Sequence, residues 1–484
     1  MLGVFYLLSQ ALAGFAAALL LPAGIGFATG ETDTANAFLL MAALLGFVAA
    51  AVIFALRGRT PKIRRVEGFM LVVAVWTIPS LVAAVPMMRA GNLDFLTALF
   101  ESVSGLTTTG ATALSTVRSV GLAGIFFRAE LQWLGGLLTL ATIATVVAAS
   151  GLGGLSGSQV ALLSGGEDRF GRLVTTLRQI LVAYGMLTIA CVVLLFASGI
   201  PPFEAVCIAL STISTGGFMP IDGSFAVYDN PFANGVVGVF MLIGATSVVW
   251  HRMVVEGRWQ LLRAHRESYW IIGVALLVSF AYAVLFADPL RDAAVAPPHW
   301  ITGGLLTGVS LVSTTGFQAH PSAMTVLPAA IVLFLAFVGG SGISTSGGIK
   351  FYRVGALLTL SGQELRRLIY PHSVRESRFG SVAFDPETLK AILSGLFVSL
   401  VTIVVALVLL SVSLPDFNAA LTAAISGFSN IGPLYAAGWS EGALWPPYSD
   451  FDGFAKLVFI VTMILGRLEV LVVLAAFNLA YWRS

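Results

Sequence analysis

Four times along its length the chain runs through a short apolar stretch and then into a cluster of Thr, Ser and Gly. The segments read LDFLTALFESVSGLTTTGA (93–111), PPFEAVCIALSTISTGGF (201–218), PHWITGGLLTGVSLVSTTGFQ (298–318) and LPDFNAALTAAISGFSNIGPL (414–434). Their matching glycines, Gly110, Gly216, Gly316 and Gly432, stand 106, 100 and 116 residues apart. A single copy would be an ordinary turn. Four copies in register form an internal repeat, and a repeat of this length dictates the architecture.

Each of these stretches is too short to cross a bilayer, which takes about 20 apolar residues. The runs between them are long enough. They cover roughly 2–22, 37–56, 68–88, 129–150, 176–199, 233–251, 269–287, 391–413 and 454–480, and one more begins near Met324 and is interrupted at 339–348. With 57% apolar and 10% charged residues, against about a quarter charged in soluble domains, a water-facing fold is excluded. The first run, lacking a basic stretch ahead of it, reads as a membrane helix and not as a secretory signal. Cys191 and Cys207 sit in separate apolar segments as small hydrophobes. Nothing resembles a nucleic-acid arm or a zinc spacing.

The expected fold is therefore an all-α integral membrane protein with ten spans. Four M1–P–M2 repeats (helix, short half-helix with polar turn, helix) surround a pseudo-fourfold pore, after two N-terminal transmembrane helices. The divisions fall at 1–66, 67–165, 166–266, 267–380 and 381–484. Basic residues crowd one side: Arg57, Arg59, Lys62, Arg64 and Arg65, then Arg169, Arg172 and Arg178, then Arg252, Arg258, Arg263 and Arg266, and finally Lys350, Arg353, Arg366, Arg367, Arg375, Arg378 and Lys390. The other side holds Arg89, Arg118, Arg128, Arg291 and Lys456. The richer side, with both termini, is expected to be cytoplasmic.

Non-helical backbone at membrane depth survives only where it is buried in protein or lines a watery cavity. Four quasi-equivalent loops around an axis would line one. Potassium filters replace the hydration shell with backbone carbonyl oxygens from four chains or repeats, and Gly reaches the necessary angles without a steric penalty. Thr and Ser add hydroxyl oxygens. No carboxylate lies in any of the clusters, which disfavours a charged ring of calcium-channel type. Half-helices entering from outside would point the negative ends of their dipoles at a cation in the pore. Asp222, Asp229, Asp292, Glu441, Asp450 and Asp452 would make an acidic outer vestibule or simply a solvated face.

The clusters SGLTTTGAT (104–112), STISTGGF (211–218), STTGF (313–317) and SNIGP (429–433) resemble the pore loops of the Trk/Ktr/HKT superfamily of cation transporters. GGSGISTSGGIKFYR (339–353) and LGRLE (465–469) resemble two further signatures of that family, and the two leading helices match its TrkH branch. Ile343, Ser346 and Leu434 depart from the usual pattern. The resemblance implies potassium uptake across the bacterial cytoplasmic (inner) membrane, with K+ as the transported ion and no organic cofactor. It implies a filter made by Thr108, Thr109, Gly110, Ser214, Thr215, Gly216, Thr314, Thr315, Gly316, Asn430, Ile431 and Gly432. It also implies a homodimer with a pore in each protomer, bound on the cytoplasmic side by a nucleotide-binding regulatory ring of TrkA type.

Two control points are expected beneath the filter. Gly339, Gly340, Ser341, Gly342, Ser344, Thr345, Gly347 and Gly348 cannot continue an apolar helix, so the segment is either a surface loop or a broken helix in the bilayer. The family resemblance favours the second, as a gate. Arg467 lies mid-span, where an Arg costs about 2.5–3.5 kcal/mol and so faces a cavity or a partner. The partner would be Glu469, Glu130 or Glu204; the cavity would be the pore, and the resemblance favours it. Glu101 and Glu204, within half-helices, should hydrogen-bond backbone N–H groups or a base. Two other readings fit part of the pattern. One is a sodium-coupled or weakly selective K+/Na+ transporter, the other a proton-coupled secondary transporter, which would need breaks in symmetry-related halves where only one stands out. The five histidines form no H-E-x-x-H arrangement, so an enzyme is not expected.

Overall fold

The computed structural model describes residues 2–58, 65–143, 169–286, 297–320, 323–370, 377–379, 382–384, 386–437, 445–468 and 470–477. Arg59, Lys62, Arg64, Arg291, Asp292, His372, Arg375, Glu441 and Glu469 lie outside those residues, as do the divisions expected at 165/166 and 380/381. The chain begins with α1 (Leu2–Ala18) and α2 (Leu20–Thr29), which join through Leu19 into one run and stop at Gly30, a left-handed C-cap with φ 82°. Helix α3 (Thr32–Ala55) returns alongside. The crossing is close because Gly26 has no side chain: a Cβ there would lie 3.0 Å from that of Ala35.

A common unit then recurs. Its first copy is α4 (Arg65–Gly91), the short α5 (Phe95–Leu106) and α6 (Gly121–Thr142). The second is α7 (Arg169–Ala197), the short α8 (Pro202–Ile213), then α9 (Pro231–Ala245) and α10 (Val248–Val255), followed by a small helix, α11 (Trp259–Ala264). The third is α12 (Arg266–Phe286), α13 (Pro297–Val312), α14 (Ala329–Val338) and α15 (Phe351–Ile369). The fourth is α16 (Pro386–Leu410), α17 (Phe417–Ser429), α18 (Gly453–Leu468) and α19 (Val470–Phe477). At 1.5 Å per residue the 12-residue α5 and α8 reach only about 18 Å, well short of a ~30 Å hydrocarbon core.

Among the described residues, six helical runs are long and apolar enough to cross a membrane, and α9 with α10 makes a seventh, bent by 102°. The expected runs 129–150 and 454–480 continue past the described residues. That bend corrects one expectation. The run 233–251 reads as one span in the sequence, yet it breaks at Thr246 and Ser247. Thr246 Oγ1 donates to Leu242 O and Ile243 O, closing off the last turn of α9. A second difference is a small antiparallel hairpin, β1 (Ser377–Phe379) with β2 (Val382–Phe384), the only strands among the described residues. Otherwise the all-α class holds.

Unlike that of a soluble protein, the exterior is as apolar as the packed interior. Leu40, Phe47 and Phe54 stand more than 70% exposed on the outside, while buried Ser, Thr and Gly gather at the four polar turns and at 339–348. Such an exterior suits lipid, and the backbone groups it carries are satisfied within helices.

Candidate functional site

The four short helices α5, α8, α13 and α17 each end in the same backbone device. Just past each helix stands a residue with left-handed φ: Thr108 (57°), Thr215 (53°), Thr314 (60°) and Asn430 (53°). For β-branched Thr this is a true outlier, costing on the order of 1–3 kcal/mol each, and it persists only where the surroundings impose it. Asn accepts the conformation more easily. The next residue donates its amide to the serine carbonyl five positions back: Thr109 to Ser104 (2.8 Å), Gly216 to Ser211 (2.8 Å), Thr315 to Ser310 (2.9 Å) and Ile431 to Ser426 (3.0 Å).

This register places one glycine differently from the sequence alignment. The position after Thr109 and Thr315 is Gly110 (φ 76°) and Gly316 (φ 93°), and in the second loop it is Gly217 (φ 84°). Gly216 instead occupies the place of Thr109 and Thr315. Gly432 takes the corresponding place in the fourth loop.

These glycines interlock the loops in order. A Cβ on Gly110 would lie 2.2 Å from Gly216 O, and one on Gly217 would lie 2.0 Å from Thr315 O. One on Gly316 would lie 2.7 Å from the Pro433 ring, and one on Gly432 would lie 2.1 Å from Ala111 N. Gly432 N also donates to Thr109 O at 2.6 Å. First touches second, second third, third fourth, and fourth first: the loops close a ring. Every predicted filter residue (Thr108, Thr109, Gly110, Ser214, Thr215, Gly216, Thr314, Thr315, Gly316, Asn430, Ile431, Gly432) is buried in or beside it. Thr109 Oγ1 hydrogen-bonds Thr107 Oγ1 at 2.7 Å, and Thr315 Oγ1 hydrogen-bonds Ser313 Oγ at 2.7 Å. Asn430 Nδ2 reaches across to Thr109 Oγ1 (2.9 Å) and Met463 O (3.0 Å).

Behind the first loop, Glu101 behaves as expected. Its Oε1 accepts from Ala113 N (2.6 Å) and Thr112 Oγ1 (3.0 Å), and its Oε2 pairs with Arg128 Nε at 2.8 Å. Both side chains are essentially fully buried. Arg128 therefore belongs to α6, stacked 4.0 Å from the Phe218 ring, and not to an outer loop as its count there assumed. The third loop repeats the support with a neutral group: Thr307 Oγ1 accepts Ala319 N, again twelve residues on. The matching pair in the second loop is Ile208 and Pro220, where Pro has no N–H to satisfy. Glu204 accepts from the Tyr228 hydroxyl at 2.6 Å instead of from a base. Asp222, Asp229, Asp450 and Asp452 are exposed, and Asp222 and Asp452 accept backbone amides of Val117 and Ala455.

Residues 339–348 form an excursion out of an otherwise nearly continuous helix. Ile349 N bonds Phe337 O (2.9 Å) and Lys350 N bonds Val338 O (2.9 Å), so α14 and α15 almost abut. The excursion is buried, apart from half-buried Gly348, which rules out the surface-loop alternative. It lies against three of the four loops. Gly347 N donates to Thr314 Oγ1 at 2.6 Å, and Thr215 Oγ1 to Thr345 Oγ1 at 3.2 Å. A Cβ on Gly347 would meet Ser429 O at 1.9 Å. Its far side is tied to the break between α9 and α10 through Ser341 N to Ala245 O, Thr345 N to Gly244 O and Val248 N to Ile343 O. Gly342 N donates to Glu267 Oε1 at 2.8 Å.

Arg467 reaches this excursion from α18. Its Nη2 donates to Thr345 O (2.7 Å) and Thr139 Oγ1 (2.5 Å), its Nη1 to Ser346 O (3.4 Å), and its Nε to Thr139 Oγ1 (2.9 Å). Among the described residues no carboxylate pairs with it. Lys350 Nζ donates to the same Ser346 carbonyl. Trp76, Thr139, Thr142, Ser346, Lys350 and Arg467 border a small, partly open cavity here.

Sequence reasoning missed Gln132 and Thr139. With Arg128 and Gly135 they fall on one stripe of α6, at i, i+4, i+7 and i+11, and polar side chains at this spacing inside an apolar span are the signal that could have found them. A Cβ on Gly135 would lie 1.8 Å from Leu106 O, so this face presses directly on the end of α5.

The chain matches a family described as TrkH, cation transport protein, over residues 36–269 and 299–482. It is 31% identical over 461 residues to the Trk system potassium uptake protein TrkH of Vibrio parahaemolyticus, covering 91% of each. It is 31% identical over 433 residues to the protein of the same name from Salmonella typhimurium, covering 86% of each. The crystal structure of the potassium transporter TrkH from Vibrio parahaemolyticus superposes with a TM-score of 0.83 at 27% identity, covering 100% of this chain and 99% of that one.

Proposed function

Because the chain belongs to the TrkH family of cation transport proteins, we propose that it carries potassium into the cell through the ring of four loops. The observation that supports this most directly is the ring itself: four strained turns, each locked to the next by a glycine, with no carboxylate among them. Neutral oxygens on a fixed ring can replace the hydration shell of K+. The filter residues named above build the ring at which the ion is held, and the M1–P–M2 repeats with the boundaries expected from the sequence build the pore.

The excursion 339–348 is the gate. It sits against Thr215, Thr314 and Ser429, and its carbonyls at Thr345 and Ser346 are held by Arg467 and Lys350. Releasing those bonds frees the segment to clear the path beneath the ring. Arg467 acts as a tether on the gate and as a positive charge beside the ion path. The protein works as a homodimer in the bacterial inner membrane, with both termini cytoplasmic. A nucleotide-binding partner pulls on the gate from that side.

A coupled secondary transporter is the second reading, and the break between α9 and α10 favours it, since one interruption no longer stands alone. The two breaks, however, lie in adjacent repeats and bond to each other, instead of facing across a pseudo-twofold axis. Proteoliposomes loaded with potassium or sodium gradients separate the readings. Downhill potassium flux exceeding sodium flux, without a proton gradient, is expected. Equal fluxes of the two ions defeat the selective filter, and strict dependence on a proton or sodium gradient establishes the transporter.

A further inference from the structure

The second loop is the odd member of the ring. Where the first and third loops carry Thr109 and Thr315, whose hydroxyls bond Thr107 and Ser313, it carries Gly216. The vacant space is filled from elsewhere. A Cβ on Gly216 would lie 2.4 Å from Gln132 Cδ, 2.5 Å from its Oε1 and 2.7 Å from its Nε2. The Gln132 amide, fully buried on α6 of the first repeat, stands where the missing side chain would be.

It also bonds the loop through both its nitrogen and its oxygen. Nε2 donates to Gly216 O at 2.7 Å, and Oε1 accepts Phe218 N–H at 3.2 Å. The two bonds bracket Gly217, the residue that touches the third loop at Thr315 O. Gly216 and Gly217 in succession would otherwise be the most freely rotating part of the ring. The stripe that carries Gln132 is itself fixed, because Gly135 presses on Leu106 O and Arg128 is paired with Glu101.

We propose that Gln132 is the positioning residue that sets ion discrimination in the second loop, by holding the Gly216–Phe218 backbone away from alternative conformations. This rests on the four loops being a potassium filter. Without the amide, a buried carbonyl and a buried N–H lose their partners, and such groups recover them by turning toward the pore or admitting water. A ring with one loose quadrant adapts to sodium as well as potassium.

The test uses the full-length protein in proteoliposomes, reading the K+/Na+ permeability ratio separately from total K+ flux. In Gln132→Ala the ratio should fall about tenfold, equivalent to ~1.4 kcal/mol, with K+ flux retained. Adding Gly216→Thr in that background should recover part of the ratio, because Thr then fills the slot as in the first and third loops. Gln132→Glu keeps the shape and the acceptor for Phe218 N–H but loses the donor to Gly216 O, and should fall between. It carries the test if Gln132→Ala does not assemble. An unchanged ratio in a folded Gln132 variant overturns the inference, as does a double variant no better than Gln132→Ala. Absence of potassium preference in the wild-type protein defeats the filter reading instead, so the two failures are distinct.

Discussion

The loop ring and the excursion 339–348 are both non-helical backbone buried among helices, yet the balance of what holds them differs. In the ring the loops touch one another directly: a glycine of each lies where a Cβ would strike the next loop's backbone or, for Gly316, the Pro433 ring. The excursion has one such contact with the ring, Gly347 against Ser429 O, and is otherwise suspended by hydrogen bonds through Thr314, Glu267, Arg467, Lys350 and the break between α9 and α10. Interlocked backbone yields only as a whole. Suspended backbone can be let go one bond at a time, each worth about 1 kcal/mol, or up to ~3 where a charge takes part. The difference suits the proposed division into a rigid filter and a movable gate.

The most damaging change to the ring's support should be Glu101→Ala. It strands the buried Arg128 guanidinium, at about 3–5 kcal/mol, and thermal unfolding in detergent should show a large fall in melting temperature. A melting point within error of wild type would show that the ring needs no brace. Next, Gly217→Ala adds a Cβ at positive φ against Thr315 O, a strain of roughly 3 kcal/mol that should cut selective potassium flux about a hundredfold. Gly216→Ala meets the Gln132 side chain first and is at no positive φ, so it should cost less; the reverse order would return Gly216 to the aligned position.

The excursion should respond in the other direction. Arg467→Ala removes the bonds to Thr345 O and Ser346 O, and should raise potassium flux about tenfold while size-exclusion profiles stay unchanged. Loss of folded protein would make the arginine a brace and erase the contrast with the ring. The smallest effect belongs to Asp94, the N-cap of α5, which accepts Thr97 N at 3.0 Å. Asp94→Ala should cost ~1 kcal/mol. Partial burial raises its carboxyl, but the Thr97 side chain and amide and Lys456 outweigh that and hold it below the usual aspartate value. The cap's contribution is therefore present above the ordinary aspartate value and lost as pH falls through the lowered one. Melting curves of wild type and Asp94→Ala should converge in that acid range.

The half-helices, their polar turns and the break at 339–348 were legible because composition changes sharply there, from apolar runs to Gly, Ser and Thr. Arg467 stood out as a cation in an apolar span, though its partners did not. A guanidinium satisfies its donors on carbonyls and hydroxyls as readily as on a carboxylate, and Thr139 lies 328 residues away in sequence. The bend at Thr246 and Ser247 was hidden because two small polar residues in an apolar run change neither length nor hydropathy. Two successive glycines left the register of the second loop open, and only the left-handed φ of Thr215 and Gly217 fixed it. Gln132 and Arg128 reach partners 84 and 27 residues distant, contacts that no local pattern specifies.

The four supports of the ring differ: an ion pair behind the first loop, a borrowed amide behind the second, a threonine hydroxyl behind the third, and Asn430 with Tyr448 around the fourth. In a channel assembled from four identical chains, one substitution strikes every side of the axis at once. Here each substitution strikes a single side, so the quadrants can drift independently. One ring thus carries TTTG, STGG, STTG and SNIG side by side, and a new residue in any of them reaches a quarter of the ring at a time.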